Sequence, residues 1–485
     1  MSSFASLLAI GLLMPPLTLP AAAVDRATAI VTQDQTALRA APQDSAQRHA
    51  LLWQGDTLEV RAERLDYLQV YDHRRERAGY VRASQVRRVS LAPEQAAELL
   101  AVARFLYDTP GAEALGLAYV AAYLKAAPAE VIGSEAFDAF GVFAERLARR
   151  ASSRWATRDD RVIAAHLEVA AGLGATVHSF ESEGRMKLCY DGEAFRRVLA
   201  LPASDAQRAR AALALTHPEC IDPNLTPTAR YALDVWRAEV MARAPLEQLP
   251  THVQNRLRLR NASVQASLAF QRARRGEDAS EVMASALRDL AAVDGLQLAE
   301  ADAGSYDAAA LRVGASRWAA EHVPRSAGLS IETSTGTAPG QTCIDLVDGK
   351  GVKLSERRCT YGVVWPASAR ANGPGTALTL AVQPLEGWRE LWVFRKLGSQ
   401  WQVDVVPPAL GTPDLGYIEF AGWVAGKPQL LAAREIRVDG RFQRSFEILD
   451  LRTLVVVNRA DSPSALTPFH RWQDAVWKRQ TLSLR

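Results

Sequence analysis

A chain of 485 residues is too long for one hydrophobic core and predicts about three domains at roughly 100–200 residues each. With 48% hydrophobic and 23% charged residues it has globular rather than disordered composition. A net charge of only +3 speaks against a dedicated nucleic-acid binder, which needs a concentrated basic face, and no phosphate-cradling or RNA-reading motif occurs.

The chain opens on an apolar run from Leu7 through Leu13 to Leu19, broken at Pro15-Pro16 and closing on Ala21-Ala22-Ala23. The run is shorter than the ~20 residues of a membrane span, and its small-residue end suits signal-peptidase cleavage. Residues 1–23 are therefore expected to be a removed secretory signal, which places the mature chain in the periplasm or outside the cell. No Lys or Arg precedes Leu7, which is atypical of such a signal, and a retained N-terminal anchor is the rival reading. No later stretch is long and apolar enough to span a bilayer.

Residues 24–90 read as a small all-β barrel. Ala29-Ile30-Val31, Thr57-Leu58-Glu59-Val60-Arg61, Leu68-Gln69-Val70-Tyr71 and Gly79-Tyr80-Val81 are short runs rich in β-branched and aromatic residues, divided by turn-forming clusters. Leu58 and Val60 alternate with Thr57, Glu59 and Arg61, and Leu68 and Val70 with Tyr67, Gln69 and Tyr71, so each strand has one apolar face. The order of Leu38-Arg39-Ala40-Ala41-Pro42, then Leu52-Trp53-Gln54-Gly55-Asp56-Thr57, then Tyr67-Leu68-Gln69-Val70 and Gly79-Tyr80-Val81 resembles a bacterial Src-homology-3 domain, with Tyr67 and Tyr80 where tryptophan is more usual. The resemblance implies peptide or cell-wall recognition. The pleat turns Tyr67 and Tyr71 outward with Tyr80 beside them, and Trp53 near the Gly55 turn closes one end, so Trp53, Tyr67, Tyr71 and Tyr80 are the expected ligand contacts. His73, Arg74, Arg75 and Arg77 add positive charge beside them. The alternative is that the tyrosines pack against the following helices.

Residues 91–324 read as an all-α domain, a helical bundle or an irregular solenoid of helix pairs. Amphipathic segments are expected at Glu94–Tyr107, Glu113–Ala126, Glu135–Ala151, Arg158–Gly172, Gly192–Leu201, Asp205–Thr216, Pro227–Ala242, Gln254–Arg275, Ser280–Val293 and Tyr306–Glu321. Ser204 with Gln207 predicts a capping box, and Thr226 before Pro227 an N-cap. Arg256-Leu257-Arg258-Leu259-Arg260 reads as a half-solvated helix face, or less simply as an anion patch.

Residues 325–485 read as an all-β domain, sandwich-like or else propeller-like, with strands around Leu391–Phe394, Trp401–Val406, Tyr417–Phe420 and Phe446–Leu449. Asp439-Gly440 marks a tight hairpin, because both central positions of a type I′ turn need positive φ. Seven of the eleven tryptophans fall here, from Trp365 to Trp477. They are either core residues of a twisted sheet or a platform for stacking on sugars.

The four cysteines make the even count expected of an oxidising compartment, and proximity pairs Cys189 with Cys220 and Cys343 with Cys359. A zinc site would need closer spacing than either pair has. There is no HExxH, GxSxG, phosphate loop or dinucleotide fingerprint, and the eight histidines are scattered, so no catalytic residue, metal or cofactor is expected. Two functions fit. One is an exported binding or scaffold protein that recognises peptides, peptidoglycan or envelope proteins. The other is an exported cell-wall hydrolase or other envelope enzyme, with an unrecognised catalytic domain.

Overall fold

The computed structural model describes residues 27–153, 160–182, 184–323, 328–411 and 414–484. The expected signal segment, 1–23, and the expected boundary at 324–325 lie outside these residues. Along the chain an antiparallel β region is followed by a helical region and then a β-rich region, so the protein is multidomain with mixed α and β. Two compact units form, one from residues up to 132 together with 142–177, the other from 133–141 together with 178 onward.

The first unit begins with strands β1 (Thr28–Val31), β2 (Thr36–Arg39), β3 (Arg48–Leu52), β4 (Thr57–Arg64), β5 (Tyr67–Asp72), β6 (Arg77–Arg82) and β7 (Val86–Val89). They form one antiparallel sheet in the order β3-β2-β6-β5-β4-β1-β7. A single core draws on every strand, through Ala29, Val31, Leu38, Leu52, Leu58, Leu68, Val70, Val81 and Val86. The sheet must therefore curl over itself, and Leu68 and Val70 point inward as their alternation predicts. Strand β1 is apolar on both faces: Ala29 and Val31 fill the core, while Ile30, fully buried, faces the helices. Helices α1 (Ala96–Leu106), α2 (Glu113–Ala126), the part of α3 (Ser134–Ala151) from Val142 onward, and α4 (Asp160–Gly172) complete the unit. Helix α2 contacts α1, α4 and β1, which explains why it is alanine-rich and apolar nearly all round instead of carrying one stripe.

In the second unit an unexpected hairpin, β8 (Val177–Ser182) with β9 (Arg185–Tyr190), interrupts the stretch expected to be all helical. Only Cys189 of its two strands is buried, so they carry little of the apolar alternation that would reveal them. Helices α5 (Glu193–Ala200), α6 (Asp205–Leu215), α7 (Pro227–Ala242), α8 (Thr251–Arg274), α9 (Ser280–Ala291) and α10 (Ala303–Ser316) follow near their expected bounds. Ser204 and Gln207 make the capping box that starts α6, and the Thr226 hydroxyl accepts from the Ala229 amide to start α7. Helix α8 carries the expected alternation over Arg256–Arg260, with the leucines buried and the arginines exposed or half-buried. Leu257 enters a core with Val240 and Met241, Leu259 enters another with Met283 and Val313, and the arginines between them reach Asp302, the Ala292 carbonyl and the Leu213 carbonyl.

The β-rich region holds a three-stranded sheet, β10 (Ser330–Thr335), β11 (Thr342–Val347) and β12 (Arg358–Thr360). It also holds an eight-stranded one of β13 (Val363–Ala371), β14 (Ala377–Leu385), β15 (Trp388–Leu397), β16 (Gln400–Val406), β17 (Leu415–Trp423), β18 (Gln429–Val438), β19 (Arg441–Asp450) and β20 (Val456–Ala460). Strand β15 switches partner along its length, from a short parallel pairing with β17 to an antiparallel one with β16. Ile344 and Leu346 of the small sheet share a core with Leu378, Leu380, Trp392 and Phe394 of the large one. The end of the chain, α11 (Thr467–Trp472) and α12 (Ala475–Leu484), packs Phe469 and Trp477 against Phe446. The helices share cores with the sheet as well, Phe270 and Trp318 with Trp365, and Leu311 with Tyr417. Asp439 and Gly440 take φ of 49° and 75° in the β18–β19 turn, as expected. Trp365, Trp388, Trp392 and Trp477 are buried and Trp401 and Trp423 half-buried, which makes most of the set core rather than a stacking platform; Trp472 is the most exposed.

Both expected disulfides are present, Cys189–Cys220 and Cys343–Cys359, and this pairing removes the cysteines from any zinc site. Among the described residues no helix is long and apolar enough to cross a membrane.

Candidate functional site

The site is built on two turns of the first unit. In the β3–β4 turn Gly55 adopts φ +88° and its amide donates to the Val31 carbonyl, while Asp56 accepts from the Trp53 amide at 2.9 Å. In the β5–β6 turn Asp72 accepts from the amides of Arg74 and Arg75 at 3.0 and 3.2 Å. The two turns are then locked together by charge. Arg74 meets Asp56 at 2.8 Å, and Arg75 reaches Asp56 at 3.1 Å and Asp72 at 2.7 Å. Both carboxylates are buried, and a buried carboxylate is tolerable because it is paired and hydrogen-bonded on several sides.

Between these turns, the outer face of β1 and β4, and helices α2 and α4 lies a cleft of about 690 Å³. Thr28 and Ile30 of β1 and Thr57 and Glu59 of β4 share one sheet face and form one wall. Ala118, Ala121, Ala122 and Lys125 of α2, spaced i, i+3, i+4 and i+7, form another, and Val169 and Leu173 close the third side. Glu59 is held by His73 at 2.7 Å and by Arg61 at 3.4 Å. Each carboxylate lining the cleft thus has a cation, whereas Lys125 is exposed and has no carboxylate partner among the described residues. Among those residues no three His, Cys, Asp or Glu side chains converge as a metal site.

The four aromatic residues expected to bind a ligand do not line this cleft. Tyr67 lies on the outer sheet face yet is only 5% exposed: its hydroxyl donates to Asp44 at 2.6 Å, and Arg82, also bonded to Asp44, stands 5.4 Å from its ring. The expected outward row is thus broken at one end by the loop that carries Asp44. Tyr71 and Tyr80 are half-buried on the same face. Tyr71 is already engaged by the Arg61 guanidinium at 4.3 Å and the His73 ring at 4.9 Å. Trp53 is half-buried in the turn that Asp56 caps.

Sequence reasoning passed over Asp34 and His166. His166, buried on α4, lies with Nε2 2.7 Å from Asp34 Oδ1, which also accepts from the Gln54 amide at 3.1 Å. This pair latches helix α4 to the β1–β2 turn and, through the Gln54 amide, to the β3–β4 turn that lines the cleft. Burial works against the Asp34 anion, but the His166 and Gln54 hydrogen bonds outweigh it and hold the carboxyl below its ordinary value of 3.8. A depressed folded value stabilises the unit above pH 3.8 and loses that contribution as pH falls through the lowered value. The acid-unfolding profile of Asp34→Asn should therefore be flatter below pH 4 than that of the parent, as circular dichroism across an acid titration would read; parallel profiles would contradict the latch.

Gly55 is required by two constraints at once. A Cβ there would sit 2.4 Å from the Ala114 carbonyl oxygen of α2, at a φ that L side chains avoid. Gly55→Ala should cost about 2–4 kcal/mol, one part from the left-handed conformation and one from overpacking. Gly174→Ala, at φ +97° with nothing within 4 Å of its Cβ, should cost only about 1–2 kcal/mol. Equal losses in urea unfolding would show that the Ala114 contact is unimportant.

Compared with protein-family models, curated proteins and solved structures, the chain matches none.

Proposed function

We propose that the protein is an exported binding or scaffold protein whose N-terminal unit, a Src-homology-3-like module backed by helices, holds a peptide or a peptidoglycan component. The observation that carries this reading is the cleft between sheet and helices, with its apolar floor and with Lys125, which has no carboxylate partner among the described residues. Clefts of this size, mostly apolar with a few placed polar groups, are the usual form of small-ligand sites. Export is supported by the two disulfides, which persist in oxidising compartments, and the periplasm is the compartment we favour. We read the C-terminal strands as sandwich-like, because the two sheets share one core.

The test is sedimentation with purified cell-wall sacculi. Binding without loss of turbidity supports the proposal. Clearing of the suspension would replace it with a hydrolase, and protein left wholly in the supernatant would remove the cell wall as the ligand.

A further inference from the structure

The charge balance of the cleft narrows what it can hold. Six ionisable side chains line it: Asp56, Glu59, Asp72, His73, Arg74 and Lys125. Five are spent on one another or on Arg61 and Arg75. The remaining ammonium stands in the last turn of α2, at the end of the wall made by Ala118, Ala121 and Ala122. From Ala118 to Lys125 the helix rises about 10 Å, the length of about three residues of extended peptide. The facing wall offers the Thr28 and Thr57 hydroxyls, each both donor and acceptor, together with the Glu59–His73 pair. A peptide main chain can hydrogen-bond these groups, whereas an acyl chain lying there would bury them without partners.

We infer that the cleft takes the free C-terminal end of a short peptide with small apolar side chains, laid along Ala118, Ala121 and Ala122 with its terminal carboxylate on Lys125. This rests on the reading of the cleft as a peptide site. The carboxylate meets the one lining charge that has no opposite partner among the described residues, and the alanines, carrying only methyl groups, let an extended peptide main chain come close to the helix.

The test is calorimetric titration of the full chain with N-acetyl-trialanine as the free acid and as its C-terminal amide, with laurate as the lipid comparison. The acid should bind about two- to fivefold more tightly than the amide, the scale of an ion pair with an exposed lysine. Lys125→Met should abolish that preference and Lys125→Arg should keep it, with unchanged circular dichroism in both because the side chain is exposed. Equal binding of acid and amide, or binding of laurate alone, would overturn the inference. If neither peptide binds while the protein still sediments with sacculi, the inference falls and the proposed function stands. If sedimentation fails too, the inference falls and the cell wall falls with it as the ligand.

Discussion

Glu419→Ala should destabilise the second unit by about 3–5 kcal/mol, the cost of leaving buried charge uncompensated. Two arginines, Arg317 and Arg389, are 0% exposed, and both depend on one carboxylate oxygen: Glu419 Oε2 accepts from Arg317 Nε at 3.1 Å and from Arg389 Nη2 at 2.8 Å. Arg389 also donates to the Gly314 and Ala315 carbonyls at 2.6 and 3.3 Å, and Arg317 stacks on the Trp318 ring at 3.9 Å. Burial pushes the Arg389 guanidinium down from its usual value and Glu419 pulls it back. A guanidinium does not discharge in a protein, so without Glu419 both cations would stay charged in a dry interior. Arg317→Met should cost less, because it leaves a one-to-one pair between Arg389 and Glu419. Urea unfolding followed by tryptophan fluorescence can read both variants, since Trp318, Trp365, Trp388 and Trp392 all lie in this unit. A loss below about 1 kcal/mol for Glu419→Ala, the range of an exposed pair, would show that water reaches the cluster.

Reducing the disulfides should lower the unfolding midpoint of the same unit, by about 3–4 kcal/mol of stability for each bridge in the chain-entropy account. Cys189–Cys220 closes 31 residues and joins β9 to the short turn Pro218–Cys220 between α6 and α7. Cys343–Cys359 closes 16 residues and links directly opposed positions of β11 and β12. The longer loop should matter slightly more, by a few tenths of a kcal/mol, because closure entropy grows only with the logarithm of length. The comparison is between Cys189→Ala with Cys220→Ala and Cys343→Ala with Cys359→Ala, each against the oxidised parent. A midpoint indifferent to reductant, with the thiols shown to be reduced, would mean that neither bridge supports the fold. It would also weaken the case that the chain is built for an oxidising compartment.

Local features of this protein were legible in its sequence because their causes are local. Strand faces follow from period-two alternation, so Leu68 and Val70 could be placed in the core before any contact was known. The Ser204–Gln207 and Thr226–Pro227 starts, and the Asp439-Gly440 turn, depend on a handful of neighbouring backbone groups. The cysteine pairing followed from proximity, which loop entropy favours. Only the tertiary structure could decide the rest. Tyr67 sits on the face its alternation assigns, but Asp44, 23 residues away, covers it. Arg256 to Arg260 reads as a half-solvated face, but the two cores that Leu257 and Leu259 enter are built from helices distant in sequence. The cleft gathers residues from Thr28 to Leu173, and its latch joins Asp34 to His166 across 132 positions. Periodicity reports which way a side chain points, whereas what it meets there depends on long-range packing, and the candidate site is made wholly of such meetings.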